Sequence, residues 1–224
     1  MVINKINFPI YGIIILLSLV IGIIYDYVYL KKRKVSKNDI KYFLLLIIPF
    51  ALIGSISLSR LMGSDGLSSY AGAVALIIAS IIYEKINPHK GIYLEVTILS
   101  LPLIYSIGKI ACFIAGCCYG IPYNGVLSVT YTDGLNIPLF PIQLVESIFF
   151  MILFILLNLM NKEKKQNIVE LTLISCALLK FMLDFLRYYH VTKMITTNQI
   201  ISIIFVIGTI IIMKLKKSWV FSYY

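Results

Sequence analysis

The sequence predicts an all-α, polytopic integral membrane protein, one domain over 1–224, with about seven transmembrane helices. Three observations predict it. Apolar residues make up 60% of the chain and charged residues only 13%, a balance outside the range of soluble domains. Apolar runs long enough to cross a bilayer as helices recur along the whole length, at about 8–30, 41–62, 67–86, 92–115, 139–160, 167–188 and 195–213. The basic residues, finally, fall in alternate loops.

That alternation sets the topology. Lys31, Lys32, Arg33, Lys34, Lys37 and Lys41 follow the first span, and Lys85 and Lys90 the third. Lys162, Lys164 and Lys165 follow the fifth, and Lys214, Lys216 and Lys217 the seventh. The loop at 121–140 contains no lysine or arginine. By the positive-inside rule the N-terminus lies outside and the C-terminus in the cytoplasm. The net charge of +10 is accounted for by this placement, so no nucleic-acid partner is needed. Anionic membrane lipids are the natural neighbours of such loops.

The elements follow in order. The first span is too long, and too poorly followed by a small-residue cleavage site, to read as a removable signal peptide. The second ends near Arg60, before a short turn at 63–65. The third opens with Gly66-Leu67-Ser68-Ser69-Tyr70-Ala71-Gly72, where Ser68 and Ser69 can cap the helix. The fourth carries Lys109 and runs into Gly108-Lys109-Ile110-Ala111-Cys112-Phe113-Ile114-Ala115-Gly116-Cys117-Cys118-Tyr119-Gly120, with Gly120 read as the helix end. The fifth opens with Phe140-Pro141-Ile142-Gln143-Leu144-Val145-Glu146. Pro141 suits a first turn, and Glu146 reads as a first-turn acid favoured by the macrodipole. In the sixth, Lys180, Asp184 and Arg187 stand at i, i+4 and i+7, which on a continuous helix is one charged stripe. The seventh is apolar up to its closing lysines.

Lys109, Lys180, Asp184 and Arg187 are costly at membrane depth, roughly 2.5–3.5 kcal/mol each on the insertion scale, and such residues pair with one another or line a wet cavity. On the assumed topology Arg60, Glu146, Arg187 and the Lys109 segment approach the outer face. The expectation is a polar cavity opening outward, with cations in excess for an anionic ligand. Gln143 shares a face with Glu146 and suits a polar headgroup or a peptide carbonyl. Cys112, Cys117, Cys118 and Cys176 show no metal-ligand spacing with His89 or His190, so they read as small buried hydrophobes and no metal site is expected.

Taken together these segments resemble the prolipoprotein diacylglyceryl transferase family. Tyr11-Gly12 matches that family's Tyr-Gly, and Gly54 to Arg60-Leu61 its Gly-x-Arg-Leu region. The 66–72 stretch resembles Ser-Phe-His-Gly-Gly, and 108–120 resembles Gly-Arg-x-x-Asn/Cys-Phe with a Cys-Cys-Tyr-Gly ending. The 140–146 stretch is similar to His-Pro-Thr-Gln-Leu-Tyr-Glu, and 180–187 to Arg-Phe-x-x-Glu-x-x-Arg. Several positions depart from the pattern. Tyr70 stands for histidine, Lys109 and Lys180 for arginine, Asp184 for glutamate, Phe140 for histidine and Val145 for tyrosine.

The resemblance implies transfer of the diacylglyceryl group of phosphatidylglycerol to the lipobox cysteine thiol of a prolipoprotein signal peptide, at the outer leaflet of the bacterial plasma membrane. It implies a multi-pass monomer without cofactor. Lys109, Arg187, Tyr70, Lys180 and Asp184 then take catalytic positions, and Tyr11, Arg60, Ser68, Cys112, Gly120, Gln143 and Glu146 bind substrate. The alternative is a degenerate paralogue that binds lipid or signal peptide, or a transferase with another acceptor. Absence of paired repeats argues against a transporter.

Overall fold

The computed structural model describes residues 2–3, 8–61, 68–87, 91–132, 135–162 and 167–221. Lys5, the turn at 63–65, Gly66, Leu67, His89, Lys90, Lys164 and Lys165 lie outside the described residues. Among the described residues seven α-helices run in the expected order: α1 Phe8–Lys32, α2 Lys37–Leu61, α3 Ser69–Ile86, α4 Ile92–Ile114, α5 Ile142–Lys162, α6 Ile168–Asp184 and α7 Thr197–Phe221. A 3-10 turn at Tyr188–Val191 precedes α7, and two-residue strands β1 (Val2–Ile3) and β2 (Thr130–Tyr131) pair in parallel.

Among the described residues six helices are long and apolar enough to cross a membrane. The remaining one, α6, has 17 residues and carries Glu170, Lys180 and Asp184. The outward faces of the others are apolar, as Ile13, Leu16 and Leu17 show on α1 and Ile203, Ile204 and Ile207 on α7. Such faces suit lipid rather than water.

The chain divides into two compact units, one made of residues 19–104 and the other of 1–18 with 105–224. In the first, α2 packs on α3, and the interior holds Phe43, Tyr83 and Tyr93 with ring centroids 4.8–5.4 Å apart. A Cβ at Gly54 would collide with the Ala75 methyl, so only glycine permits this approach of the two helices. The Glu84 carboxylate accepts from the backbone N–H groups of Gly91 (2.8 Å) and Tyr93 (3.1 Å), which caps the start of α4. Ser68 caps α3 by accepting from Ala71 N–H at 3.3 Å.

In the second unit three helix ends differ from expectation. The fourth helix ends at Ile114, and Gly116 rather than Gly120 turns the chain. Gly116 has φ +62°, Cys117 N–H bonds the Cys112 carbonyl at 3.1 Å, and Gly116 N–H bonds the Phe113 carbonyl at 3.3 Å. This pair of bonds is a Schellman motif, which fixes the end four residues earlier than the last glycine. Helix α5 starts at Ile142, so Glu146 is its fifth residue and lies beyond the first turn. Phe140 is held outside the helix because its N–H donates to the Ile121 carbonyl at 2.9 Å. Helix α6 ends at Asp184, and Arg187 is extended at φ −87°, ψ 149°. The continuous Lys180–Arg187 stripe therefore breaks after Asp184.

The reason for that break is the segment between α4 and α5. Ile121 N–H donates to the Leu186 carbonyl at 3.0 Å, and Tyr188 N–H to the Tyr119 carbonyl at 3.1 Å. Gly120 and Arg187 form an antiparallel bridge. These backbone bonds replace a further helical turn and aim Arg187 inward.

Candidate active site

The unit formed by 1–18 and 105–224 buries an ion network. Glu146 of α5 is fully buried, and Lys109 of α4 and Arg187 past α6 are only 6% and 4% exposed. Arg187 Nη2 donates to both Glu146 oxygens, at 2.6 and 2.9 Å. Lys109 Nζ meets Glu146 Oε2 at 2.8 Å. The Tyr105 hydroxyl, one helical turn before Lys109 on α4, donates to Glu146 Oε1 at 3.0 Å. A single carboxylate on α5 thus gathers two cations and a phenol from two other segments, α4 and the stretch after α6.

A second carboxylate holds the far side. Asp184 Oδ1 pairs with Arg187 Nε at 3.3 Å and accepts from Asn198 Nδ2 at 3.3 Å. Its other oxygen accepts from the Thr196 hydroxyl and lies 3.7 Å from His190 Nε2. The end of α6 is thereby tied to the start of α7, and Arg187 stands between the carboxylates of Glu146 and Asp184. Lys180 Nζ lies 4.7 Å from the Tyr105 ring centroid, and Lys109 Nζ lies 5.0 Å from it. Both distances suit a cation over a π face. Lys109, Lys180 and Arg187 against Glu146 and Asp184 leave one formal positive charge in excess among these five buried groups. In a low-dielectric interior that excess attracts an anion.

The backbone around the network is tightly fitted. A Cβ at Gly120 would strike the Phe140 and Leu186 carbonyl oxygens. Gln143, fully buried, donates from Nε2 to the Cys117 carbonyl at 2.6 Å. Its amide nitrogen therefore braces the chain after α4. Tyr11 of α1 lies within electrostatic reach of Lys109, Cys112, Cys117 and Cys118.

Of the sequence-nominated residues, Tyr11, Lys109, Cys112, Gly120, Gln143, Glu146, Lys180, Asp184 and Arg187 belong to this one unit. Arg60, Ser68 and Tyr70 belong to the other, where Arg60 is exposed in the last turn of α2, Ser68 is the α3 cap and Tyr70 lies in the first turn of α3. Sequence reasoning treated Glu146 as helix-start electrostatics and missed its place as the hub of the network. It also missed Tyr105, Thr196 and Asn198. Tyr105 had a legible signal, a phenol at i−4 from a buried lysine. Thr196 and Asn198 had none, because their link to Asp184 is made by the fold.

The chain compares with known proteins as follows. A family model described as prolipoprotein diacylglyceryl transferase matches residues 1–215. The chain is 33% identical over 132 residues to a phosphatidylglycerol–prolipoprotein diacylglyceryl transferase of Clostridium tetani, covering 55% of this chain and 53% of that protein. Against a second such transferase of Clostridium perfringens the identity is 31% over 131 residues, covering 55% and 51%. Against that of Finegoldia magna it is 27% over 228 residues, covering 92% and 91%. The matched segments thus span about half the length of the first two relatives and nearly all of the third. With its family model running over almost the entire length, the chain belongs to the prolipoprotein diacylglyceryl transferase family.

Proposed function

We propose that this protein moves the diacylglyceryl group of phosphatidylglycerol to the lipobox cysteine thiol of a prolipoprotein signal peptide. The observation that carries the reading is the buried Lys109–Glu146–Arg187 network, set in a member of this family with Lys180 and Asp184 beside it, three basic groups to two carboxylates. The acceptor thiol's sulfur attacks the glyceryl carbon, and its proton ends on the leaving phosphate. A C–S bond forms, the carbon–oxygen bond to phosphate breaks, and its electron pair leaves on the phosphate oxygen as glycerol 1-phosphate. Negative charge grows on that oxygen, and pre-aimed cations stabilise it most when they need not reorganise.

Arg187 and Lys109 are assigned to contact the phosphate, with Lys180 adding charge beside them. Glu146 and Asp184 position Arg187, and Glu146 positions Lys109. With its Nε and Nη2 held by Asp184 and Glu146, Arg187 is assigned to meet phosphate through Nη1, and Lys109 through a point charge. Tyr11, Cys112, Gly120 and Gln143 shape the surroundings of these cations. Arg60 and Ser68 are assigned to substrate binding, and Tyr70 to a catalytic position, on their motif resemblance alone. The same reading makes α6 a seventh span whose polar groups face protein, with the N-terminus outside and the C-terminus cytoplasmic. The protein is then a multi-pass monomer of the bacterial plasma membrane acting at its outer leaflet.

The test is expression in cells depleted of their own transferase, with a prolipoprotein followed by gel shift and mass spectrometry. A diacylglyceryl adduct that disappears in Arg187→Ala is expected. Absence of the adduct despite confirmed membrane insertion overturns the proposal.

A further inference from the structure

Three thiols cluster in the same unit as the ion network. Cys112, Cys117 and Cys118 are free, partly buried, and have Sγ atoms all within 4.8 Å of one another. Against the expectation of no metal site, which weighed only their spacing to histidine, we propose that they form a three-thiolate site for a thiophilic d10 metal ion, Zn2+ in the first instance.

Local backbone chemistry brings the thiols together. The Schellman motif places Cys112 and Cys117 at the two ends of its long hydrogen bond, from Cys117 N–H to the Cys112 carbonyl. Cys118 follows with φ +56°, a left-handed turn that swings its side chain back toward the same point. The Gln143 amide holds the Cys117 carbonyl at 2.6 Å, and the Tyr131 ring closes over Gly116, where an added Cβ would stand 2.8 Å away. The donors are therefore largely pre-positioned, which lowers the ordering cost of capture.

The donor set selects the ion. Three sulfurs without a carboxylate favour Zn2+ or Cu+ and disfavour Mg2+ and Ca2+. A Zn–S bond of about 2.3 Å in tetrahedral geometry sets sulfurs about 3.8 Å apart, which small side-chain rotations reach from the observed spacing. Three thiolates around Zn2+ carry one net negative charge. Lys109 and Arg187 lie within electrostatic reach of Cys118, and Lys109 of Cys112, so that charge meets cations. Binding displaces the thiol protons and leaves the fourth coordination position open.

The experiment uses the reduced full-length protein in nanodiscs. Titration with Cd2+, followed by sulfur-to-metal charge-transfer absorbance, is expected to saturate at one ion per chain, and Zn2+ to compete. Cys112→Ser, Cys117→Ser and Cys118→Ser are each expected to weaken binding at least ~10-fold, and Cys176→Ser to leave it unchanged. Zn-edge X-ray absorption on the unmutated protein is expected to show three sulfurs around the metal, a readout that needs no variant to fold. A shell of nitrogen and oxygen alone, no charge-transfer band, or equal loss in Cys176→Ser overturns the site. So does a disulfide within the trio that persists under reductant.

Discussion

Glu146 and Arg187 stand 41 positions apart in the chain and meet through two hydrogen bonds from one guanidinium nitrogen, at 2.6 and 2.9 Å. Both are buried, so neither charge is tolerable without the other. The pair joins α5 to the segment after α6, and Lys109 adds α4 to the same carboxylate.

Removal of that carboxylate is expected to leave two buried cations without their shared partner. Glu146→Gln should destabilise the fold by about 3–5 kcal/mol, the usual cost of breaking a buried pair from one side. Thermal unfolding of the purified protein reads the loss. Glu146→Asp, which keeps the charge but shortens the reach, should fall between the two.

Lys109 separates charge from geometry. Lys109→Met keeps the volume and removes the cation, and should lower kcat for diacylglyceryl transfer by about 10²–10³, as loss of one stabilising donor does elsewhere. Lys109→Arg keeps the cation, adds the planar fork, and should retain activity within about ten-fold. Equal loss in both variants would mean that shape rather than charge matters at this position.

Gly120 is a steric prediction. Any Cβ there meets the Phe140 and Leu186 carbonyl oxygens, which belong to the backbone and cannot swing away. Gly120→Ala is expected to cost about 1–3 kcal/mol and to disturb the Arg187 bridge. Melting temperature checks the first effect, and transfer activity the second.

Asp26 of α1 is 2% exposed, and its Oδ1 has no hydrogen-bond partner among the described residues. It lines a cavity of about 30 Å³ with Thr97 and Ser100. Asp26→Asn preserves shape and removes a buried ionisable carboxyl, so the melting temperature should stay level or rise. A fall of more than about 2 kcal/mol in stability would show that the ionised carboxylate is itself held by the fold.

Val126 is fully exposed in the segment between α4 and α5, and Ser36 is exposed between α1 and α2. With the proposed topology, Val126→Cys reacts with a membrane-impermeant maleimide in intact cells, above the background of the parent. Ser36→Cys gains reactivity only after permeabilisation. The reverse pattern inverts the topology.

The sequence alone determined the order of the helices among the described residues, six of them from a local property, the length of an apolar run. It also marked Lys109, Lys180, Asp184 and Arg187, since a charge in an apolar stretch is costly wherever the stretch folds. The Schellman end of α4 was legible too, as a glycine followed by a cysteine five residues after another cysteine, and was passed over for Gly120. Only the tertiary structure decided which charges meet. Glu146 joins Lys109 and Arg187 because backbone bonds from Ile121 and Tyr188 stop α6 at Asp184 and turn Arg187 inward. Helical periodicity, which assumes that the helix continues, has no access to such a stop. Pairing of buried charges is a long-range choice, made where desolvation penalises every unpaired alternative.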